Sequence, residues 1–254
     1  MEADNKVSYT ISETCILPSR GLIYDEQVNP EVELRSMTME DEMRRQAYSE
    51  TPNRVLCDLI ENCMVKKPNI HVYDMCLGDY EYLLHRLRVV TYGADYNMII
   101  SCPICREVSE TTCNLDDLEV HGYDESIESM KIIKLPVCGK EIELRFLTPR
   151  IMDNIATRAK EIKKKAKGLT VDPTYKLTLQ AMIKKIDGQT VSAAALESFV
   201  SQMLMKDVNY LEQKSNELNG KVGVDPNIVC KCGKCGHDVV VPFRITNEFF
   251  RPQI

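Results

Sequence analysis

Apolar positions along this chain recur at three- and four-residue steps over long stretches and alternate with polar ones over short stretches. Val32-Glu-Leu-Arg35 alternates as a half-buried strand does. It runs into Thr38-Met-Glu-Asp-Glu-Met43, where Thr38 is placed to cap a helix and Asp41 falls at its third position, next to the positive end of the helix dipole. That helix is expected to run to about Glu50. Val55, Leu56, Leu59, Ile60 and Met64 share one face of a second helix, Asn53 to Val65. Tyr80, Leu83, Leu84, Leu87 and Val90 share one face of a third, Leu77 to Tyr92, which Gly93 stops.

The pattern then shortens. Tyr96 to Ser101 and Glu107 to Leu115 read as paired strands, and Ile132 to Leu135 with Glu141 to Phe146 as a second hairpin turning at Gly139, with Cys138 in its turn. Thr148-Pro149 opens a helix carrying Ile151, Ile155, Ala159 and Ile162. Asp172-Pro173 opens another, expected to reach about Ile186 before Gly188. Ser192 caps a long helical stretch to about Asn219, with Phe199, Met203, Leu204, Val208, Leu211 and Leu218 as its buried line and Asp207 and Asn209 as the candidate interruptions. Asp225-Pro226 returns the chain to strands at Ile228 to Cys230 and from Val239 onward, and an aromatic tail begins at Asn247. The opening segment, Met1 to Thr14, is polar, and Cys15 to Tyr24 reads as an extended arm with a turn at Pro18 to Gly21.

The cysteines change this picture. Cys102-Pro-Ile-Cys105 and Cys232-Gly-Lys-Cys235 are two CxxC pairs, each followed by turn residues and then a strand. Two cysteines at that spacing across a tight turn aim both sulfurs at one ion, and two pairs complete a tetrahedron for Zn2+. Gly233 and Gly236 suit such turns, and Pro103 pre-sets its own backbone. The ligands expected are Cys102, Cys105, Cys232 and Cys235, with Cys230 the less favoured substitute. Cys113 and His237 compete more weakly, as a small strand residue and a turn residue. Cys57 and Cys63 flank the stripe of the second helix and read as packing residues. A redox pair would open a helix after a strand, and neither pair does.

The fold class expected is therefore α+β: a small β zinc ribbon split in sequence, with N-terminal helices and a mainly helical insertion. The boundaries are 1–35 for the arm and first strand, 36–93 for a helical segment, 94–120 and 225–254 for the two halves of the ribbon with the tail, and 121–224 for the inserted hairpin and helices.

Composition narrows the partners. The chain has 254 residues, 44% of them hydrophobic, and a formal charge of −6, which argues against a nucleic-acid partner. The basic run from Lys160 to Lys167 sits at a helix C-terminus, where cations are favoured in any case. Eleven dispersed cysteines without an apolar leader point to synthesis in a reducing cytoplasm, and no apolar run is long enough to span a membrane. Motifs for catalysis are missing: there is no HExxH, GxxxxGK[ST], GxSxG or GxGxxG, and His121 is followed by Gly-Tyr-Asp-Glu rather than by the x-Glu of a zinc deaminase. Four sulfurs would leave zinc no vacant position. A non-enzymatic chain with no small-molecule substrate is expected.

Three stretches together carry a resemblance: Ile16-Leu-Pro-Ser-Arg-Gly-Leu-Ile-Tyr24, Val32-Glu-Leu-Arg-Ser-Met-Thr-Met-Glu-Asp-Glu42 and Phe249-Phe-Arg-Pro252. The chain resembles the T-even-type baseplate hub and hub-assembly family of contractile-tailed phages. The resemblance implies a subunit made in the host cytoplasm and residing in the virion tail baseplate, with other tail and baseplate subunits as partners. On this reading the contact elements are the arm (Leu17, Pro18, Gly21, Leu22 and Tyr24) and the tail (Phe249, Phe250 and Arg251). A zinc-ribbon nucleic-acid-binding or transcription factor and a transient tail-assembly chaperone are the competing expectations.

Overall fold

A computed structural model describes residues 11–165, 171–225, 227–242 and 247–250. The chain opens with β1 (Ser12–Ile16), which pairs antiparallel with β2 (Glu31–Arg35), Ser12 opposite Arg35. Helix α1 (Met39–Arg45) starts at the expected cap: the Asp41 N–H donates to Thr38 Oγ1, and the Thr38 N–H donates to Asp41 Oδ2 at 2.9 Å. Arg35, 2.7 Å away, together with Thr38 holds the buried Asp41 carboxyl down to about 2 against the opposing effect of burial. The helix ends earlier than Glu50. Pro52 opens α2 (Pro52–Cys63) and disfavours a helical Thr51, so the chain must leave the helix before it. Then β3 (Met64–Lys66) adds to β2, completing a three-stranded sheet, and α3 (Leu77–Tyr92) follows with Gly93 as its stop, as the periodicity predicts.

β4 (Asp95–Ser101) and β5 (Val108–Asn114) form the first ribbon hairpin. β6 (Val120–His121) enters the insertion, which contains α4 (Ser126–Met130), β7 (Ile132–Lys134), β8 (Glu141–Leu144), α5 (Pro149–Lys165), α6 (Thr174–Met182), β9 (Ile183–Ile186), α7 (Ala193–Gln202) and α8 (Met205–Asn219). β10 (Gly223–Val224) leaves it, pairing back onto β6 with Gly223 opposite His121. β11 (Asn227–Lys231) and β12 (Asp238–Pro242) form the second ribbon hairpin.

Two readings within the insertion change. The expected helix to Ile186 ends at Met182, and Ile183-Lys-Lys-Ile186 becomes an edge strand on β8. Its apolar spacing fits a helix, but the partner supplied by β8 decides. The long helix also divides earlier than Asp207: Met203 and Leu204 are extended, and Leu204 is exposed rather than part of the buried line.

Three cores result among the described residues. The largest joins β1–β3, α2, α3, the inner faces of both ribbon hairpins and Phe249 and Phe250; the second joins the β7–β8–β9 sheet to α6, α7 and α8; a small third packs Ile155 and Ala159 of α5 against Leu177 of α6. The two larger ones are locked together by backbone contact. A Cβ on Gly78, at the start of α3, would stand 1.9 Å from Val222 O, and one on Gly223 2.7 Å from Gly78 Cα, so only glycine fits either place. Leu77 N–H donates to Leu147 O at 2.9 Å across the same seam.

Three aspartates with at most 1% exposure tie loops to helices. Asp79 accepts from the Ser19 N–H (2.9 Å), Ser19 Oγ (2.5 Å) and the Tyr24 hydroxyl (2.6 Å). Asp153, on α5, accepts from Asn53 Nδ2 (2.8 Å), the Arg54 N–H (3.0 Å) and the Tyr73 hydroxyl (3.0 Å), so one helix caps the start of another. Asp207, on α8, accepts from the N–H groups of Val137 and Cys138 at 2.8 and 3.0 Å.

Candidate metal centre

Each ribbon hairpin carries one CxxC at its tip, and both tips fold alike. Cys102 N–H donates to Glu107 O at 2.9 Å and Arg106 N–H to Cys102 O at 3.0 Å; Cys232 N–H donates to His237 O and Gly236 N–H to Cys232 O, both at 2.9 Å. The fourth residue after the first cysteine is left-handed in both turns, Arg106 at φ 60 and Gly236 at φ 70. Gly236 therefore has the role expected of it. Gly233 takes no positive φ.

The hairpins stand against each other through their inner faces, where Cys230 Sγ lies 3.9 Å from Met98 Sδ. This brings the tips together. The thiol sulfurs of Cys102, Cys105, Cys232 and Cys235 all lie within 4.8 Å of one another, with Cys102–Cys235 and Cys105–Cys232 at 3.6 Å. A disulfide needs about 2.05 Å, and these cysteines are free. Zn2+ bound at about 2.3 Å per sulfur in a tetrahedron would separate the sulfurs by about 3.8 Å, so the donor set fits that ion.

Within the cluster the thiols are pulled in opposite directions: Cys232 and Cys102 are lowered, Cys235 and Cys105 raised. The N–H groups of Cys235 and then Lys234 pull the Cys232 thiol down to about 6, and those of Cys105 and Ile104 lower Cys102. Against the pull of the His237 N–H, burial and the neighbouring sulfurs of Cys105, Cys102 and Cys232 push Cys235 up to about 12. Burial, with no other sulfur involved, raises the thiols of Cys57 and Cys63, the latter to about 12. Both are fully buried and act as small apolar residues. Cys230 is buried on the inner face with its thiol raised by burial, Cys113 donates to Tyr96 O at 3.4 Å, and His237 is exposed. None of the three belongs to the four-sulfur cluster.

Most of the described residues expected as contact elements are packed within the chain. Leu17, Pro18 and Gly21 are buried, Tyr24 is half-buried and bonded to Asp79, and Leu22 alone of these five is exposed. Gly21, at φ 71, faces Val28 so closely that a Cβ would stand 2.0 Å from its carbonyl oxygen. The Leu-Pro-Ser-x-Gly stretch is thus a turn clasped by its own chain. Phe249 and Phe250 are buried edge-to-face, ring centroids 5.3 Å apart, with Arg45 over Phe250 and Tyr96 beside Phe249. Arg251 falls outside the described residues.

A family model described as T4 bacteriophage base plate protein matches residues 9–251. The chain belongs to that family. The match takes in the arm, both ribbon hairpins, all four clustered cysteines and the buried aromatic pair. Baseplate proteins of this family reside in the virion tail and associate with other baseplate or tail components, and among the described residues no helix is long and apolar enough to cross a membrane. No significant match was found among curated proteins or among solved structures.

Proposed function

We propose that this baseplate protein is a non-enzymatic structural subunit of the hub region, its split ribbon closed by a structural Zn2+. The observation that carries the reading is the convergence of four sulfurs from two hairpin tips more than a hundred residues apart in sequence. Four thiolates fill a tetrahedral zinc, leaving it a fixed charge and a cross-link rather than a site for substrate. The hub position rests on the resemblance of the three motif stretches. Because Leu17, Pro18, Gly21, Phe249 and Phe250 are packed within the chain, contacts with neighbouring subunits are assigned to the exposed Leu22, the exposed surface of the ribbon and the exposed residues of α1.

The test is mass spectrometry of purified virions and of baseplate intermediates, combined with metal analysis of the isolated protein. Expected are stoichiometric zinc and the protein present in hub-containing particles. Its presence in intermediates but not in virions would make it an assembly chaperone, and its absence from both would overturn the reading.

A further inference from the structure

The two ribbon hairpins are separate two-stranded sheets. Isolated hairpins are marginal in water, and a third strand or a covering element is what usually secures them. The first hairpin's bonding phase follows from two of its hydrogen bonds: Cys102 N–H to Glu107 O and Leu115 N–H to Ala94 O. In an antiparallel ladder inward and outward residues alternate, so Glu110 and Thr112 of β5 turn their N–H and C=O groups away from β4. By the same argument from Cys232 N–H to His237 O, Val229 of β11 turns outward. Among the described residues neither edge is hydrogen-bonded to another strand, although β5 and β11 approach each other.

Between these two edges lies a groove of about 480 Å3, with Cys113, Leu118 and Ile228 among its apolar walls. Its rim is acidic: Asp117, Glu119 and Asp225 stand there against one lysine, Lys231. His121 stands between Glu119 and Asp225 at 3.7 and 3.6 Å, with a different ring nitrogen toward each. We propose that this groove receives an extended, lysine- or arginine-bearing segment of a different baseplate or tail protein, which adds as a strand to the free edge of β5 and lies between the hairpins. The strand edges supply backbone bonds, the apolar walls take alternate side chains, and the carboxylates select positive charge. The inference builds on the assembly-subunit reading and specifies where and what that subunit binds.

The test uses the full chain in its metal-loaded form and two probes, an eight-residue peptide alternating Val and Lys and its Val and Glu counterpart. Fluorescence anisotropy at low and high salt should show the Lys peptide binding at least about tenfold more tightly, with the preference shrinking at high salt. Amide exchange should slow at Thr112. Thr112→Pro removes the outward N–H without breaking the β4–β5 ladder and should abolish binding, whereas Thr112→Val retains the N–H and should bind as the parent does. Asp117→Lys with Glu119→Lys should reverse the charge preference. Four results would overturn the proposal: no binding of the Lys peptide at about 1 mM, equal binding of the two peptides, protection confined to other strands, or self-association of the chain through the β5 edge. If the groove fails while the protein is found in virions, the assembly reading stands alone; if the groove binds while the protein is absent from particles and intermediates, the assembly reading is what fails.

Discussion

The helical body and the ribbon are held together by opposite means. In the body, the two larger cores meet at a glycine–glycine contact, and three buried aspartates fasten loops to helices at separate points. The ribbon consists of two hairpins whose outer faces expose Ile99, Val108, Val229 and Val240, and among the described residues its tips meet at four sulfurs and one exposed ion pair, Lys234 to Glu107 at 2.9 Å. Stability spread over many contacts degrades by steps. Stability concentrated in one cluster is lost together with it.

The largest expected effect tests that concentration. Cys102→Ser or Cys235→Ser should bring bound zinc toward zero, and a chelator should do the same. Exchange protection should disappear from β4, β5, β11 and β12 while α3 and α5 stay protected, because structural zinc contributes roughly 10 kcal/mol or more of binding free energy to such a site. Cys57→Ser should leave the metal in place. Retained stoichiometric zinc in the Cys235 variant would shift the ligand set to Cys230.

Next comes the body. Asp153→Ala leaves the N–H groups at the start of α2 and the Tyr73 hydroxyl without their acceptor, which should cost about 3 kcal/mol in urea unfolding without changing zinc content. If this variant lost its zinc as well, the two regions would not be independent.

A comparable effect is expected with pH. Burial, and secondarily Arg86, holds His85 of α3 down to about 4 from an ordinary 6.5. The unfolded chain therefore binds the extra proton first. The stabilisation is complete above pH 6.5 and is lost as the pH falls toward 4, by on the order of 3 kcal/mol. His85→Leu should flatten that part of the pH–stability curve, and an unchanged slope would exclude His85 as its source. The smallest effect compares the two ribbon tips. Arg106→Gly should stabilise the first by about 1 kcal/mol and Gly236→Ala should destabilise the second by a similar amount, because both positions are left-handed.

Much of this is visible in the order of residues. The caps at Thr38 and Ser192, the span of α3, the four ribbon strands and the identity of the four clustered cysteines follow from local rules, since each depends on neighbours a few positions away. What escapes those rules depends on distant partners. Ile183 to Ile186 becomes a strand because β8 offers an edge. The break at Met203 and Leu204 precedes the polar residues that flagged it, and Asp207, inside α8, serves the turn at Val137 and Cys138. The packing of the arm has the same origin: Asp79, sixty residues away, clasps Ser19, and no local pattern announces that bond. Buried aspartates are a usable signal nonetheless, since a charged residue on the apolar stripe of a helix needs a partner somewhere.

The largest core also has an order of synthesis. Its early parts, β1 to β3, α2 and α3, are made well before β11 and the Phe249–Phe250 pair that complete it, with the whole insertion translated between. At about 5–20 residues per second, the unfinished core waits several seconds or more with apolar surface exposed. The insertion has a sheet and helices of its own to bury during that interval. A nascent chain stalled before β11 should therefore show a folded insertion beside an N-terminal region still open to chaperones, and the second hairpin would end that exposure when it arrives.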